Sequence, residues 1–202
     1  MNIIEQSHEI ITLFNPSQIY KDIEMAGRTA YKSEDKITFD SAEKFIRNIR
    51  ERGHESVLEH VNLAVRFITD RGVTHEIVRH RLVAYTQEST RYCNYSKNGM
   101  TFISPVFWDK SSIEWQLWMD SMILAEDNYN KLIDIGANPQ EARSVLPNSL
   151  KTEIVCTTNI REWRHILQLR TVPAAHPQMV ALMMPLLIEL QDKLPVLFED
   201  IG

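Results

Sequence analysis

The spacing of the glycines excludes two familiar ways in which a chain of this length holds a nucleotide phosphate. The six glycines are dispersed, and no two of them lie within ten residues of each other. A dinucleotide-binding βαβ unit needs three glycines within about six positions, and a phosphate-binding loop needs two in a similar span. Any nucleotide or flavin bound by this chain must therefore be held by side chains and helix N-termini.

The length and composition are those of a globular chain. Its 202 residues are 44% apolar and 24% charged, which excludes disorder and favours a single domain over residues 1–202. No run of eighteen apolar residues is present, and the N-terminus resembles no signal peptide. Two cysteines, Cys93 and Cys156, are too few for a disulfide framework. We therefore expect a reducing, cytoplasmic location.

The charge distribution favours a small anionic ligand over nucleic acid. The formal net charge is −5, whereas nucleic-acid-binding domains usually carry a basic excess. The arginines are nevertheless clustered. Arg79, Arg81 and Arg91 form one group, and Arg161, Arg164 and Arg170 form another. Such local groups in an acidic chain indicate either small anions or internal ion pairs.

The order of predicted elements favours an α+β fold with a mixed or antiparallel sheet and long flanking helices, because helices and strands do not alternate strictly. Alternating apolar residues and turn signals predict strands over residues 8–14, 61–67, 101–105 and 150–157. Caps and apolar periodicity predict helices over residues 16–31, 42–52, 72–79, 110–135, 140–146, 160–170 and 177–193. Residues 82–98 show no period and are predicted as a loop.

Several residues are predicted to begin these helices or to fill the core. The expected N-caps are Asn15, Asp40 or Ser41, Asp109, and Asn159 with Glu162. Gly72 is expected to open the short third helix. The expected core of the longest helix is Ile113, Trp115, Leu117, Trp118 and Met122.

Metal and nucleophilic chemistry find little support in the sequence. The histidine pairs are spaced six apart (His54 and His60) and five apart (His75 and His80), so neither pair shares a helix face. We therefore predict no metal site. No serine lies in a G-x-S-x-G turn. Cys156 lies in an apolar strand and is expected to be a small core residue.

The strongest chemical signal is an arginine-rich segment followed by hydroxyl groups. Arg79, His80 and Arg81 are followed, after seven residues, by Ser89, Thr90 and Arg91. The structural explanation is a solvated helix end, where cations are favoured by the helix dipole. The functional explanation is an anion cradle in which guanidinium groups and hydroxyls bind a phosphate.

A second candidate segment covers residues 159–170. Ile160, Trp163 and Leu167 form its buried stripe, and Arg170 is the next member of that stripe. An arginine there needs an anion, either a ligand or a structural carboxylate such as Glu153. Arg161, His165 and Gln168 form a separate polar face, which would ordinarily be solvated.

These segments resemble the flavin-dependent thymidylate synthases. The hallmark of that family, RHR followed by seven residues and Ser, stands at Arg79–Ser89. GHESVLEH at 53–60 is similar to its histidine loop, and the segments at 138–147 and 157–170 also match in order. The resemblance spans about residues 50–170 and rests on four ordered segments.

The resemblance implies both a fold and a reaction. It implies α+β subunits that assemble as a homotetramer, with FAD and dUMP bound where subunits meet. The reaction is the reductive methylation of dUMP to dTMP, with methylenetetrahydrofolate as carbon donor and NADPH as reductant of the flavin. No nucleophile from the enzyme is required.

The resemblance also implies roles for individual residues. Arg170 would be the catalytic residue, because it would face the uracil. The implied flavin residues are His54, Ser56, Arg79, His80, Arg81, Gln87, Asn159, Arg161, His165 and His176. The implied dUMP residues are Glu76, Arg79, Gln87, Glu88, Ser89, Thr90, Arg91, Arg143 and Arg170. Gln87 stands where a carboxylate is common, and His75-Glu76 stand where Arg-Gln occurs in some members.

Two other functions remain open at this point. A non-catalytic oligomer could keep the arginine cradle and bind an anion or nucleotide without a flavin. A classical thymidylate synthase would use a cysteine nucleophile, and neither cysteine has a suitable local context. Bound flavin distinguishes the leading hypothesis from the first alternative.

Overall fold

The computed structural model describes residues 1–97 and 99–202. The helices are α1 Pro16–Tyr31, α2 Ser41–Glu51, α3 Arg71–Ile77, α4 Ile113–Asp134, α5 Pro139–Ala142, α6 Ile160–Arg170, α7 Pro177–Lys193 and α8 Pro195–Phe198. The strands are β1 Asn2–Ile4, β2 Ser7–Ile10, β3 Asn62–Asp70, β4 Ala84–Gln87, β5 Thr101–Ile103 and β6 Lys151–Asn159. Three 3-10 segments cover Glu34–Lys36, Glu55–His60 and Arg143–Val145.

The main sheet has the strand order β2-β3-β6-β4, and its two long strands run antiparallel. At one end the N–H of Ile160 donates to the carbonyl of Val61, and at the other the N–H of Arg71 donates to the carbonyl of Leu150. A separate two-stranded sheet pairs β1 with β5 in parallel. The predicted α+β class with a mixed or antiparallel sheet is confirmed.

The chain forms two compact units. The first contains Met1–His8, Arg66–His80 and Tyr85–Val155, and the second contains Glu9–Val65, Arg81–Ala84 and Cys156–Gly202. Each of the long strands β3 and β6 is divided, with one part in the first unit and the other part in the second. The assignment of residues 1–202 to a single domain stays a prediction.

The core of the first unit lies under one stripe of α4. Trp118, Met122 and Tyr129 are buried there, and the indole N–H of Trp118 donates to Ser149 Oγ at 3.0 Å. The expectation that Ile113 and Leu117 belong to this core is wrong. Their side chains are 68% and 61% exposed, because they lie about 140° around the helix from the buried stripe.

The core of the second unit is built from helices against the sheet. Ile23 of α1, Ile46 of α2 and Leu167 of α6 are completely buried. The indole N–H of Trp163 donates to the carbonyl of Leu63 at 3.0 Å, which fixes α6 to β3. The predicted stripe of α6 is therefore confirmed as a packing surface.

Several helix starts follow the predicted caps. Asn15 caps α1 by accepting the N–H of Ser17 at 3.0 Å, and Asn159 caps α6 by accepting the N–H of Glu162 at 2.9 Å. Asp40 occupies the N-cap position of α2, although its side chain makes no capping hydrogen bond. Helix α7 begins at Pro177 as predicted.

Other helix boundaries differ from the prediction. Helix α4 begins at Ile113 and is capped by Ser112, because Asp109 caps the preceding turn by accepting the N–H of Ser111. Helix α3 begins at Arg71, one residue before Gly72, because Asp70 accepts the N–H of Val73 at 2.7 Å. The helix predicted over 140–146 is the short α5 followed by a 3-10 turn.

The predicted loop over 82–98 contains the strand β4, so that prediction is wrong for residues 84–87. Pairing with β6 stabilises these four residues, and so short a segment shows no clear period. The last residue of the predicted loop, Asn98, lies outside the described residues. The strand predicted over 8–14 is shorter and covers Ser7–Ile10. Among the described helices, none is both long and apolar enough to cross a membrane.

Candidate active site

The arginine-rich segment follows α3 in a tight turn. The side chains of Arg79 and Arg81 are exposed, whereas His80 is buried. Tyr85 Oη donates to the carbonyls of Ile77 and His80 at 2.7 and 2.8 Å. This double hydrogen bond fixes the backbone between Ile77 and His80 in the first unit. Sequence analysis missed Tyr85, because nothing in the pattern marked residues 84–87 as a strand.

The hydroxyl-rich segment also forms a tight turn. Ser89 Oγ accepts the N–H of Arg91 at 3.3 Å, and the carbonyl of Ser89 accepts the N–H groups of Tyr92 and Cys93. The guanidinium of Arg91 lies over the ring of Tyr92, 5.5 Å from its centroid. Within residues 1–97 and 99–202, no histidine or carboxylate hydrogen-bonds to Ser89 Oγ. A serine without a base is a poor nucleophile.

Arg143 lies next to this turn. Its Nη1 donates to Thr90 Oγ1 at 3.4 Å, although the two residues are 53 positions apart. The preceding helix α5 is closed by a capping box between Asn138 and Glu141, which fixes where Arg143 begins its 3-10 turn. The structure thus brings together Arg143 and the predicted residues Ser89, Thr90 and Arg91 in the first unit.

A chain of alternating charges lies behind the same turn. Glu88 accepts hydrogen bonds from Tyr95 Oη at 2.6 Å and from Lys151 Nζ at 3.1 Å. Lys151 also contacts Glu153, whose other carboxylate oxygen contacts Arg66. We call Arg66, Glu88, Tyr95, Lys151 and Glu153 the charge chain. It holds the carboxylate of Glu88 inside the unit.

The charge chain shifts the pKa values of Glu153, Lys151 and Tyr95. Hydrogen bonds from Lys151 and Arg66 hold the pKa of Glu153 below its usual value. Burial alone would lower the pKa of Lys151, but its hydrogen bonds to Glu153 and Glu88 outweigh this effect and raise it. Burial and the carboxylate of Glu88 raise the pKa of Tyr95. At neutral pH, Glu153 is therefore negative, Lys151 is positive and Tyr95 is uncharged.

Gln87 faces the interior of the first unit. Its side-chain amide donates to Thr74 Oγ1 at 2.9 Å and to Thr152 Oγ1 at 3.3 Å. An amide cannot serve as a base, and these contacts occupy its donor group. Glu76 is half-buried on α3.

A cleft in the second unit collects several residues predicted to bind the flavin. It has a volume of about 560 Å³. Its lining residues are Glu55, Glu59, Leu82, Asn159, Arg161, Glu162, Arg164, His165 and Gln168. The prediction that Arg161, His165 and Gln168 share one polar face of α6 is thus confirmed, and this face lines a concave surface. We call this the α6 cleft.

Arg161 is the exposed cation of the α6 cleft, and carboxylates contact it. Its Nη1 lies 2.6 Å from Glu59 Oε1, and its Nε lies 3.8 Å from Glu55 Oε2. Hydrogen bonding to Glu59 raises its pKa. An anionic ligand that binds Arg161 competes with Glu59 for its guanidinium.

His54 and Ser56 line an adjoining recess of the same unit together with Arg161. His54 Nδ1 lies 2.7 Å from Tyr31 Oη, and the two rings are stacked with centroids 6.5 Å apart. Gly53 precedes His54 with a φ of +70°, a conformation that favours glycine. Tyr31, which sequence analysis missed, orients His54.

Arg170 and His176 belong neither to the hydroxyl-rich turn with Arg143 nor to the lining of the α6 cleft and its adjoining recess. Arg170 is the half-buried last residue of α6. Glu153, suggested as its structural partner, is paired instead with Lys151 and Arg66. His176 is the N-cap of α7, where its Nδ1 accepts the N–H of Gln178 at 3.2 Å. That hydrogen bond gives His176 a structural role.

The buried Cys156 is unsuited to nucleophilic catalysis. Burial raises the pKa of the Cys156 thiol to about 12, so this side chain is almost entirely protonated at neutral pH. The prediction that Cys156 is a core residue is confirmed. In the part of the chain that the structure describes, no three His, Cys, Asp or Glu side chains are grouped to hold a metal ion.

These features define a class of protein. It is an α+β protein that presents exposed arginines, hydroxyls and a polar cleft, and it uses no glycine-rich phosphate loop. The profile of the family described as "Thymidylate synthase complementing protein" matches residues 12–196. The chain belongs to the flavin-dependent thymidylate synthases, a family of methyltransferase enzymes that depend on a flavin.

Individual relatives agree with this assignment. The flavin-dependent thymidylate synthase of Geobacter sulfurreducens is 30% identical over 187 residues, which cover 89% of this chain and 81% of the relative. That of Corynebacterium glutamicum is 31% identical over 197 residues, covering 88% and 78%. That of Pyrococcus furiosus is 33% identical over 147 residues, covering 71% and 60%.

The fold also matches a solved structure. The UMP/dUMP methylase PolB of Streptomyces cacaoi, bound with 5-Br dUMP, superposes with a TM-score of 0.81 at 21% identity. The match covers 98% of this chain and 96% of PolB. The family and the fold expected from the sequence are both confirmed. The roles of individual residues stay predictions.

Proposed function

We propose that this chain converts dUMP to dTMP by reductive methylation, with FAD as cofactor, NADPH as reductant and methylenetetrahydrofolate as carbon donor. One observation carries the proposal for this chain's own residues. Arg143 meets Thr90 beside Ser89 and Arg91, which creates two exposed guanidinium groups next to hydroxyls. This is the donor set that a nucleotide phosphate requires. Family membership supplies the reaction class.

Arg170 is the residue that we assign to the uracil ring. Addition of a hydride at C6 of the uracil places negative charge on C5 and on the C4 carbonyl oxygen. A fixed guanidinium beside these atoms stabilises that charge as it develops. Neither Ser89 nor Cys156 is activated as a nucleophile, which supports a reaction without a covalent bond between enzyme and uracil.

The α6 cleft and its adjoining recess fit a flavin by the chemistry of their donors. Arg161, His165, Gln168 and Asn159 offer a guanidinium, an imidazole and two amides, which can hydrogen-bond the ring, the ribityl chain and the phosphates. When bound, the flavin supplies the hydride. His54, oriented by Tyr31, lies in the adjoining recess that opens beside Arg161.

The cleft itself is short of positive charge. Its lining contains three carboxylates, Glu55, Glu59 and Glu162, but only two arginines. A diphosphate therefore needs further cations. We assign these to the exposed Arg79 and Arg81, provided by another copy of the chain, with His80 fixing the turn between them.

An apolar stripe supports assembly of several copies. Ile113, Leu117 and Leu124 lie on one side of α4, and their side chains are largely exposed. Burial of such side chains stabilises a complex by about 1.5–3 kcal/mol each. We propose a homotetramer with closed D2 symmetry, which light scattering at micromolar concentration tests. A fully active monomer would contradict it.

A reconstituted assay tests the proposed reaction. The purified chain should form dTMP from dUMP when FAD, NADPH and methylenetetrahydrofolate are all present. Arg143→Ala should raise the KM for dUMP roughly ten- to hundredfold, as expected for a lost charged hydrogen bond. Arg52→Ala, which removes an exposed arginine at the end of α2, is the matched control and should leave the KM unchanged.

Two outcomes would contradict the proposal. If the protein binds dUMP but binds no flavin and forms no dTMP, the binding-only oligomer is correct. If UMP is methylated and dUMP is not, the reaction class stands and the substrate assignment is wrong.

A further inference from the structure

A buried cation lies at the inner wall of the α6 cleft. The side chain of Arg164 is only 5% exposed but lines the cleft. Its Nη1 and Nη2 each donate to one oxygen of Asp200 at 2.7 Å, and Nη1 also donates to the carbonyl of Leu197. A guanidinium cannot lose its proton, so a buried arginine requires such a counterion.

Asp200 belongs to the C-terminal segment 197–202, which packs against the second unit. Phe198 and Ile201 are buried, and Gln191 Nε2 donates to both of their carbonyls. Asp200 also lies 2.5 Å from Arg50 Nη2, so it bridges α6 and α2. The family match ends at residue 196. The counterion of Arg164 therefore lies outside the part of the chain that matches the family.

The pair is connected to the binding face through Glu55. One oxygen of Glu55 lies 3.7 Å from Arg164 Nε, and the other lies 3.8 Å from Arg161 Nε. Both distances exceed that of a hydrogen bond, and Arg164 Nε has no hydrogen-bond partner among the described residues. Glu55 thus lies between two arginines, only one of which is neutralised by Asp200.

We propose that Asp200 is a positioning residue that limits how strongly the α6 cleft binds an anionic ligand. By neutralising Arg164, Asp200 leaves Glu55 free to share its charge with Arg161. Without the charge of Asp200, Arg164 attracts Glu55 and withdraws it from Arg161. The inference rests on the proposed function only in taking the anion to be the phosphate part of the flavin.

The proposal predicts that removing the charge of Asp200 lowers the stability of the protein but strengthens its binding of FAD. Asp200→Asn removes the counterion of a buried arginine and should lower the melting temperature. The same change should tighten FAD binding roughly three- to tenfold, because one negative charge near the cleft is removed. Asp200 is 42% exposed, so solvent screens the charge and the effect stays modest. It should shrink as salt is added. If the pair of Arg164 and Asp200 were purely structural, Asp200→Asn would lower both the melting temperature and the affinity for FAD.

Glu199→Gln provides the matched control. Glu199 adjoins Asp200 and pairs with Arg47 and Arg50, neither of which lines the α6 cleft. The control removes one negative charge from the same segment. It should leave FAD binding unchanged, which distinguishes a local effect on Arg164 from a change in net charge.

The experiment measures the dissociation constants of FAD and of inorganic pyrophosphate for the wild-type protein and both variants. Tighter binding of either probe by Asp200→Asn alone supports the proposal. Unchanged or weaker binding of both probes, or equal tightening by Glu199→Gln, overturns it. If the wild type binds pyrophosphate but not FAD, the proposed function fails, while pyrophosphate still tests Asp200. If it binds neither probe, both proposals fail.

A second variant covers the case in which Asp200→Asn does not fold. Glu55→Gln keeps the shape of the side chain and removes the carboxylate through which Asp200 acts. It should tighten FAD or pyrophosphate binding by a similar factor. If Glu55→Gln leaves the binding of both probes unchanged or weaker, the link from Asp200 to Arg161 is refuted.

Discussion

Replacing Lys151 with methionine tests whether the charge chain holds in place the turn Ser89–Cys93, which we propose binds dUMP. The change keeps most of the aliphatic side chain and removes the ammonium that joins Glu88 to Glu153. Glu88 would then keep Tyr95 as its partner, and Glu153 would keep Arg66. Both carboxylates would be left partly buried with one charged partner fewer.

The magnitude follows from the burial of the groups. A hydrogen bond to a charged group contributes about 1.5–3 kcal/mol. The side chains of Lys151 and Glu88 are 20% and 17% exposed, so they are screened only in part. The remaining partners offset some of the loss, and we expect a destabilisation of about 1–2 kcal/mol. For a chain of this size, that lowers the melting temperature by about 2–8 °C.

Lys131→Met is the matched control. Lys131 pairs with Asp127 on the surface of α4, where the side chains are 68% and 61% exposed. Such a pair contributes about 0.3–0.5 kcal/mol. Thermal unfolding followed by circular dichroism compares the two variants directly.

The same comparison has a functional readout. Because Glu88 directly precedes Ser89, loosening it should raise the KM for dUMP by about three- to tenfold and leave kcat nearly unchanged. Lys131→Met should change neither constant. If the two variants lower the melting temperature equally, or if Lys151→Met leaves the KM unchanged, the charge chain does not support the turn.

The remaining predictions concern the reaction and its dependence on pH. Arg170→Ala should lower turnover by about 100-fold or more while flavin stays bound, and normal turnover of dUMP would make the residue structural. Ser89→Ala should weaken dUMP binding by about 1–2 kcal/mol and keep measurable turnover; an inactive variant, together with a covalent Ser89–nucleotide adduct in mass spectrometry, would contradict this. The pKa values of Glu153 and Asp200 are lowered by their cationic partners, so the stability they contribute is present above the usual carboxyl pKa of about 4 and is lost as pH falls below it. Urea unfolding should therefore show a constant midpoint from neutral pH to about pH 5 and a falling midpoint below; a midpoint that rises on acidification would refute the assignment.

The helices that were predicted well have residues at their first positions that mark where a helix begins. Helix α1 follows the pair Asn15-Pro16, α6 follows Asn159, and α7 begins at Pro177, so local chemistry alone sets where each begins. The strand β4 carries no such signal. Its four residues are held by the neighbouring strand and by the hydrogen bonds that its own Tyr85 makes to Ile77 and His80. Those contacts depend on the rest of the fold.

Burial and long-range contacts explain the other differences. Apolar periodicity identified α4 but could not show which of its two apolar stripes faces the core, and Ile113 lies on the exposed one. Lys151 and Glu88 are 63 positions apart, and no periodicity predicts that they pair. The family resemblance implied that Arg143 acts with Ser89–Arg91, and the structure supplied the contact with Thr90.

The central claim is that the methylation uses flavin chemistry and no nucleophile from the protein. The most direct test is the absorption spectrum of the purified protein mixed with FAD, reduced with NADPH in the absence of air, and then given dUMP and methylenetetrahydrofolate. We predict that oxidised flavin reappears and that one dTMP forms for each flavin reoxidised, in the wild type and equally in a variant with Cys93→Ala and Cys156→Ala. Formation of dTMP without any change in the flavin spectrum, or its loss in the cysteine-free variant, would contradict the account.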